Sequence, residues 1–416
     1  MIRKIIQKLG FLLLPFIIIS CNGIGPKKVK NIVELTPKLS VESKETIQLN
    51  STIKNHVFSP DIFNNKKYSV TKYPMIAQPI CAKGIFYTLD NRGIVTAFSI
   101  KDKVIRWTYN VNTNKSDSFN GGGILHHQGN LYITNGSRFL VILNAETGHE
   151  TLRKELPDII RIKPVILNDN IILVQTISNQ IFALDSSHLN LVWQHEGMLG
   201  TLTSSYHVSP IIHGDKVIVN YSTGQIFSLN ATTGEPIWTI DLSNNQEIGL
   251  PNFESTTVLC TPVIDNNSIY IANGADKLMK IDINSGHIIW QAKANDIQSM
   301  SLAGNSLFVI NNAQQVAAFN TISGKVNFVK DLTDIELKKI KATSFLPPIV
   351  SKTTNGWELS IIASSGELYN ISFDTVNIAT ETTVINSKII KNIQYYGLTC
   401  CGSLYFVTNK EVIFAH

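Results

Sequence analysis

The chain has 416 residues, of which 44% are hydrophobic and 16% are charged, and its formal net charge is +5. This composition is apolar enough for a sizeable folded core and excludes an intrinsically disordered protein. Arg3, Lys4 and Lys8 lie close to the N-terminus, so the rest of the chain carries +5 − 3 = +2, which argues against nucleic acid as a partner.

The N-terminal segment has the pattern of an export signal. Basic residues precede the apolar run GFLLLPFIIIS, which is too short to span a bilayer comfortably. The run closes on Ser20 and Cys21, and this ending resembles the bacterial lipoprotein box. We predict a signal peptide over residues 1–20; an ordinary signal with a chance cysteine and a transmembrane anchor are the alternatives.

The lipoprotein resemblance implies a lipid anchor at Cys21. Cleavage before Cys21 would leave its thiol carrying a diacylglycerol and its amine carrying a further acyl chain. Several chains anchor stably, because each buried methylene adds about 0.8 kcal/mol. The polar residues 21–44 then form a flexible tether, and Asn22, in place of an Asp retention signal, implies transfer to the outer membrane.

After the tether, a repeated motif predicts the fold. Its clearest copy is GQIFSLNATTGEPIW, over residues 224–238. The last position of the motif recurs at intervals of roughly 40 to 52 residues, which is the range of four-stranded propeller blades. In chain order, the copies place at this position Trp107, Leu152, Trp193, Trp238, Trp290 and Phe328.

Each copy predicts two strands joined by a tight turn, with the tryptophan on the second strand. The indole is large enough to fill the wedge between neighbouring blades, and its N–H needs an acceptor there. A turn glycine permits the positive φ of a tight connection, and a proline is tolerated where an upstream strand begins. The glycines are Gly148, Gly234, Gly286 and Gly324. The prolines are Pro79, Pro164, Pro210, Pro262 and Pro348.

The six copies, a seventh near Tyr369 and an incomplete eighth after Lys388 predict an all-β, eight-bladed β-propeller of four-stranded antiparallel blades over residues 45–416, with seven blades as the alternative. The segments after Lys388 supply three strands where a blade needs four. The ring of blades closes without an exposed sheet edge only if the last blade is complete. We therefore expect an N-terminal strand, residues 46–53, to close the last blade.

Candidate catalytic and metal-binding residues are few. The pair His126 and His127 lacks a third ligand at a recognisable spacing. The glycine-rich segment 120–124 precedes a strand and lacks the Lys and Ser or Thr of a phosphate loop. Asp185 and Asp282 precede the repeat turn, where a carboxylate caps backbone N–H groups. We therefore predict no active site, no metal site and no cofactor.

Four cysteines follow Cys21, and two of them, Cys400 and Cys401, are adjacent. Adjacent cysteines can form a vicinal disulfide in an oxidising compartment, or they are simply two small residues of the closing blade. Cys81, in the first strand of the neighbouring blade, is placed to approach this pair. Cys260 is predicted to be buried and inert.

Two families share this repeat. Quinoprotein alcohol dehydrogenases carry an adjacent cysteine pair beside pyrroloquinoline quinone, and that resemblance implies a much longer chain with a bound Ca²⁺ and a catalytic Asp. These short repeats leave no room for those parts. A lipoprotein signal, a short tether, an N-terminal closing strand and minimal repeats together resemble the BamB family across essentially the whole chain.

The BamB resemblance implies a non-enzymatic scaffold that is lipid-anchored at the periplasmic face of the outer membrane. Its implied partners are the POTRA domains of BamA, the other lipoproteins of the BAM complex and unfolded outer-membrane proteins, whose insertion it aids. Two alternatives stay open. One is a quinoprotein dehydrogenase that depends on pyrroloquinoline quinone and Ca²⁺, and the other is a sensor propeller that binds a small ligand or a cell-wall polymer.

In the BamB family, the partner surface uses loops before the proline strands of two central blades. These loops correspond to residues 200–210 and 254–262. Leu202 falls on a leucine of the first loop motif. The candidate partner-binding residues on the two loops are Leu202, Ser205, Tyr206, Thr257 and Leu259.

The charged residues of the family loops are absent from this sequence. The arginine of the first loop aligns with Ser205, and the acidic pair of the second loop aligns with Thr257 and Leu259. A contact based on charge is therefore not implied. Either the interface is more apolar, through Leu202, Tyr206 and Leu259, or the partner is different.

Overall fold

The structure, a computed structural model, describes the chain from residue 67 onwards with several gaps. All described residues belong to the second of the two units into which the chain divides, residues 37–416. The predicted signal peptide, the tether and the strand at residues 46–53 lie outside them. The described ranges are 67–198, 208–242, 258, 260–274, 276–332, 345, 347–353, 356–363, 368–373, 382–384, 395–398, 404–407 and 411–415.

The described residues form eight four-stranded antiparallel sheets, numbered here in chain order. In sheets 1 to 7 the four strands follow one another both in sequence and in space, so each sheet is a simple meander. Sheets 1 and 2 contain β2 (Ile80–Ala82), β3 (Ile85–Leu89), β4 (Ile94–Ser99), β5 (Val104–Asn110), and then β6 (Gly123–His127), β7 (Asn130–Thr134), β8 (Phe139–Asn144), β9 (Glu150–Glu155). Sheets 3 and 4 contain β10 (Val165–Asn168), β11 (Ile171–Gln175), β12 (Gln180–Asp185), β13 (Leu191–Glu196), and then β14 (Ile211–His213), β15 (Lys216–Asn220), β16 (Gln225–Asn230), β17 (Pro236–Asp241).

The remaining sheets follow the same plan until the last. Sheets 5 and 6 contain β18 (Val263–Asp265), β19 (Ser268–Ala272), β20 (Lys277–Asp282), β21 (Ile288–Lys293), and then β22 (Ile297–Ala303), β23 (Ser306–Asn311), β24 (Gln315–Asn320), β25 (Val326–Asp331). Sheet 7 contains β26 (Ile349–Thr353), β27 (Gly356–Ile362), β28 (Leu368–Phe373) and β29 (Thr382–Val384). Sheet 8 contains β1 (Lys67–Ser69), β30 (Tyr395–Leu398), β31 (Leu404–Val407) and β32 (Glu411–Ala415).

Sheet 8 joins the two ends of the described chain. Its strand order is β1, β32, β31, β30, and β1 pairs with β32 in an antiparallel ladder of three residue pairs. The edge position that the sequence assigned to residues 46–53 is occupied by β1. β1 is stabilised at this edge because the ring of its Tyr68 lies 5.5 Å from that of Phe98 in sheet 1.

The apolar core is divided among the interfaces between consecutive sheets. The cluster between sheets 1 and 2 joins Leu89 and Val95 to Ile124 and Leu131. Equivalent clusters lie between sheets 2 and 3, 3 and 4, 4 and 5, 5 and 6, and 6 and 7. Because each inner sheet is covered on both faces, most residues of the second and third strands in sheets 1 to 6 are buried.

The prolines and glycines of the repeat lie where the sequence predicts. In five sheets a proline immediately precedes the first strand, and the four turn glycines have φ between 73° and 76°. That φ lies in the left-handed region, which glycine reaches without the steric cost that other residues incur. Within the described ranges, no helix is long and apolar enough to cross a membrane.

Candidate interaction surface

The four tryptophans of the repeat lie on the fourth strands of sheets 1, 3, 4 and 5, at Trp107, Trp193, Trp238 and Trp290. In each sheet the register of pairing with the third strand shifts immediately after the residue opposite the tryptophan. Such a shift is the mark of a β-bulge, which bends a strand and re-aims a side chain. The same shift occurs at Leu152 and Phe328, so the six copies share one backbone design.

Each indole is held by the next sheet along the chain. The ring lies against the turn glycine of that sheet, where an added Cβ would come within 2.5 to 2.7 Å of ring atoms. The indole Nε1 donates a hydrogen bond of 2.9 to 3.2 Å to a backbone carbonyl in the same turn. The bonds run from Trp107 to Ala145, from Trp193 to Ala231, from Trp238 to Ile283 and from Trp290 to Thr321.

The junction between sheets 2 and 3 is built differently. Leu152 replaces the tryptophan, and Leu189 stands at the turn position that is glycine in sheets 2, 4, 5 and 6. Leu189 keeps a positive φ of 59° and is 1% exposed, and both leucines belong to one apolar cluster. The carbonyl of Ser186, which corresponds to the indole acceptors, accepts a hydrogen bond of 3.1 Å from the hydroxyl of Tyr132.

An ion pair within β9 of sheet 2, Arg153 with Glu150, is hydrogen-bonded to sheet 1 and its following loop. Arg153 donates to Glu150 from Nε at 2.9 Å and from Nη2 at 2.6 Å, while its Nη1 donates to the carbonyl of Val111 at 2.9 Å. Tyr109 of sheet 1 also donates to Glu150, at 2.9 Å. Partial burial opposes ionisation of Glu150, but the hydrogen bonds from Arg153 and Tyr109 outweigh it and lower the pKa of the carboxyl.

The residues that the sequence analysis weighed as catalytic or metal-binding make hydrogen bonds and ring contacts within the fold. Asp185 accepts hydrogen bonds from three backbone N–H groups of its turn, and these lower its pKa although desolvation opposes them. His127 bonds to the carbonyl of Asp169, and His126 stacks on Tyr87. Among the described residues, no group of three or more His, Cys, Asp or Glu side chains is placed to hold a metal ion.

The glycine-rich segment before β6 is a tight connection between sheets. Gly122 has φ of 110° and donates from its N–H to the carbonyl of Arg161 at 2.6 Å. A Cβ on Gly122 would lie 2.1 Å from the carbonyl oxygen of Thr134, so the backbone leaves no space for a side chain there. The segment thus forms part of the connection between sheets 1 and 2.

A surface cleft of about 660 Å³ opens beside the junction between sheets 1 and 2. Lys83, Arg106 and His126 line it together with Glu146. Burial lowers the pKa of His126, with smaller contributions from the charges of Lys83 and His127. Since the cleft carries charges of both signs, it does not favour one charge class of ligand.

Exposed apolar side chains are concentrated at the start of the fourth strands. These strands form sheet edges, so their outward backbone groups have no partner strand within their own sheet. The sequence analysis missed this surface. Its signal in the sequence is the aliphatic residues that come shortly before each tryptophan of the repeat. We call it the apolar edge, and it consists of Val104, Ile105, Leu191, Val192, Ile237, Ile288 and Ile289, each 39% to 52% exposed.

The predicted partner-binding residues Leu202, Ser205, Tyr206, Thr257 and Leu259 lie outside the described residues. The residue that leads into the first of these loops is described. Met198 is 64% exposed, while its backbone N–H donates to Gln225 at 2.8 Å and its carbonyl accepts from Asn179 at 2.9 Å. A backbone held by hydrogen bonds together with an exposed apolar side chain is a feature of a contact surface. No sequence motif identified Met198.

Taken together, the repeated four-stranded sheets, their face-to-face packing and the anchor residues define an all-β protein of the β-propeller class. The sequence profile of outer membrane protein assembly factor BamB matches residues 91–329, which is more than half of the chain. This chain therefore belongs to the BamB family.

Individual relatives show how far the similarity extends. An uncharacterized protein of Rickettsia conorii is 50% identical over 411 residues, covering 98% of this chain and 99% of that protein. Outer membrane protein assembly factor BamB of Legionella pneumophila is 26% identical over 168 residues, 40% of each chain. The crystal structure of BamB from Moraxella catarrhalis matches with a TM-score of 0.65 and 18% identity, covering 84% of this chain and 98% of that one, which shows a shared fold.

Proposed function

We propose that this protein is a non-enzymatic scaffold of the machinery that assembles β-barrel proteins in the outer membrane. The observation that carries the proposal is the match to the BamB family across sheets 1 to 6, on a fold that resembles BamB. A series of sheets packed face to face suits the task of presenting a surface to partners.

The proposed chain organisation follows the sequence. Residues 1–20 form the signal peptide, Cys21 carries the lipid, residues 21–44 form the tether and residues 45–416 form an eight-bladed propeller that β1 completes. The lipid holds this propeller at the periplasmic face of the outer membrane. The pairing of β1 with β32 supports the closed eight-bladed form, because sheet 8 reaches four strands only with β1.

The proposed partner surface comprises the loops 200–210 and 254–262 together with Met198. It binds the POTRA domains of BamA and so places the propeller beside the other lipoproteins of the complex. The exposed side chain of Met198 supports the apolar form of this contact. An interface of ordinary size buries about 800 Å² on each partner, which two loops and their flanks can supply.

The apolar edge is the proposed contact for unfolded outer-membrane proteins. An extended segment that adds to a sheet edge gains main-chain hydrogen bonds, while alternate side chains meet the surface beside it. Barrel proteins before insertion are chains of such segments. The apolar edge offers both parts at four sheets, since each tryptophan-bearing fourth strand begins with exposed aliphatic residues.

The first test is affinity purification of the tagged, lipidated protein from its own membranes, with mass spectrometry of the proteins recovered. We expect BamA and the lipoproteins of the complex. Their absence, under conditions in which another assembly lipoprotein recovers them, contradicts the proposal. Uptake of pyrroloquinoline quinone with Ca²⁺ by the purified protein would instead favour a dehydrogenase, and stabilisation by a small ligand would favour a sensor.

Variants test the partner surface. Met198→Asp places a charge on the proposed contact, so we expect at least a tenfold loss of recovered BamA with an unchanged melting temperature. Ile322→Asp is the matched control, because Ile322 is a 69% exposed aliphatic residue on sheet 6, outside the proposed surface. Equal recovery with both variants would remove Met198 from the interface.

A further inference from the structure

Cys81 forms a disulfide bond. Its partner is not Cys260, which is buried and free, and whose pKa is raised to about 12 by burial. The other cysteines of the sequence are Cys21, Cys400 and Cys401, all outside the described residues. We propose that Cys81 is bonded to a member of the adjacent pair Cys400 and Cys401, and that this covalent link ties sheet 1 to sheet 8.

The surroundings of Cys81 show which neighbour its side chain meets. Cys81 lies on β2 and packs against an apolar cluster that includes Phe86 and Phe98 of sheet 1. Tyr68, on β1 of sheet 8, packs against the same cluster. The ammonium group of Lys103 in sheet 1 also lies 5.3 Å from the ring centroid of Tyr68. Cys81 therefore lies on the face of sheet 1 that meets sheet 8.

The strand topology brings the cysteine pair to the same place. Cys400 and Cys401 lie in the connection between β30, which ends at Leu398, and β31, which begins at Leu404. β30 is the first strand of sheet 8 along the C-terminal chain, as β2 is the first strand of sheet 1. First strands of consecutive sheets contact each other where β2 meets β6, β18 meets β22 and β22 meets β26. By chain order, the cysteine pair therefore belongs to sheet 8, whose strand β1 meets the face of sheet 1 that carries Cys81.

The remaining candidate, Cys21, is excluded by its chemistry, and this step rests on the proposed lipid anchor. A cysteine that carries a diacylglycerol has its sulfur in a thioether and has no thiol left to oxidise. Formation of the proposed bond removes two protons and two electrons from two thiols. A disulfide-bearing protein oxidant of the export compartment accepts them and becomes a dithiol.

The link has a mechanical consequence at the seam of the fold. The β1 to β32 ladder contains three residue pairs, which is short beside the five or six pairs of most inner ladders. A disulfide that joins residue 81 to residue 400 or 401 closes a long loop, and long loops restrict the unfolded chain strongly. The two ends of the chain are then held together by both hydrogen bonds and a covalent bond.

Peptide mapping without reduction tests the pairing directly on the exported full chain. Trypsin releases Cys81 in residues 73–83 and the cysteine pair in residues 392–410. We expect one linked species of these two peptides that separates on reduction. An alkylated, unlinked 73–83 peptide, or its linkage to a peptide containing Cys21, overturns the proposal. The mass of the N-terminal peptide reports lipidation independently, so the two proposals fail separately.

Variants test the role of the bond. Cys81→Ser should lower the melting temperature by about 5 °C, and a thiol reductant should lower that of the wild type equally while leaving the variant unchanged. The double variant Cys400→Ser, Cys401→Ser should match Cys81→Ser, with no further loss when all three are combined. Cys260→Ala, the control, should retain the response to reductant. Additive losses, or a response to reductant that survives in Cys81→Ser, overturn the proposal.

Discussion

The junction between sheets 4 and 5 and the junction between sheets 2 and 3 solve one packing problem in two ways. In the first, Trp238 fills the space against Gly286, which has no side chain. In the second, Leu152 and Leu189 share the space between them. The space that one tryptophan ring fills against a glycine in the first junction is filled in the second by side chains from both sheets.

The polar part of the junction varies with the apolar part. The carbonyl that accepts from Trp238 is that of Ile283, and the corresponding carbonyl of Ser186 accepts from Tyr132 instead. A buried carbonyl without a donor costs free energy, and the tyrosine keeps this acceptor bonded where the indole is absent. At the junction between sheets 1 and 2 both donors are present, since the carbonyl of Ala145 accepts from Trp107 and from Tyr87. A repeat can therefore lose its most recognisable residue while the carbonyl that it served keeps a donor.

The variant that should lower the free energy of unfolding most disrupts a tryptophan junction. Gly286→Ala places a methyl group 2.7 Å from the ring of Trp238 at a φ of 73°. Left-handed backbone costs a non-glycine residue roughly 1–2 kcal/mol, and overpacking adds about 1–3 kcal/mol. We expect the free energy of unfolding to fall by about 2–5 kcal/mol in urea denaturation.

Gly129→Ala separates the two causes. Gly129 has a similar φ of 77°, but an added Cβ there would meet nothing within 4 Å. Its loss should be the backbone cost alone, about 1–2 kcal/mol. Equal losses in the two variants would show that the ring of Trp238 moves aside without cost.

The second prediction converts the leucine junction into a tryptophan junction. Leu152→Trp overfills the space beside Leu189, and Leu189→Gly leaves a cavity where a 1% exposed side chain was. Each single variant should lose about 1–3 kcal/mol of unfolding free energy. The double variant rebuilds the arrangement of the other junctions, so its loss should be smaller than the sum by about 1–3 kcal/mol.

A double-mutant cycle in urea measures this coupling. Leu152→Trp combined with Gly214→Ala is the control pair. An added Cβ at Gly214 meets nothing within 4 Å, and the two sites lie on sheets 2 and 4, which are not consecutive. That pair should be additive. Additivity of the leucine pair as well would show that the two side chains do not share one space.

The third prediction, with the least change in stability, concerns the ion pair of Arg153 and Glu150 beside the junction between sheets 1 and 2. Because Glu150 has a lowered pKa in the folded protein, its stabilising effect is complete above the unfolded pKa of about 4.3. The effect is lost as the pH falls through the lower folded pKa. Glu150→Gln should therefore cost about 1 kcal/mol at pH 7, and the difference from wild type should disappear at low pH.

Urea denaturation at a series of pH values checks this prediction. Glu155→Gln is the control, because the pair between Glu155 and Arg138 is 56% and 50% exposed and exposed pairs contribute little. A difference between Glu150→Gln and wild type that does not change with pH would show that the variant acts through packing and not through charge.

Much of the fold could be predicted because the repeat carries it in local signals. The tryptophans, the turn glycines and the prolines before strands each act within one hairpin or between two consecutive sheets, so their spacing in the sequence reflects their spacing in the structure. The Asp at the start of a turn is also a local signal, and Asp185 and Asp282 cap the N–H groups that follow them.

The seam and the surface could not be predicted in the same way. The strand that completes sheet 8 is the three-residue segment Lys67–Ser69, which is too short to show a periodic pattern; what fixes it is the contact of Tyr68 with Phe98. The sequence alone does not show why Leu189 takes the position of a turn glycine. The reason becomes visible only when Leu152 is known to replace the tryptophan that would pack there. The exposure of Met198 depends on hydrogen bonds from two other hairpins, and the sequence does not encode those as a motif.

The direction of the tryptophan contacts bears on how the molecule is made. Each tryptophan packs against a turn of the next sheet, which is synthesised later. A newly synthesised sheet can therefore pack directly on the sheet before it. A chain that crosses a membrane from its N-terminus can therefore compact step by step as it emerges, without waiting for distant segments. Among the described strands, β1 is the one whose partner comes from the far end of the sequence, because it pairs with β32, Glu411–Ala415. Such a long-range contact forms late in folding.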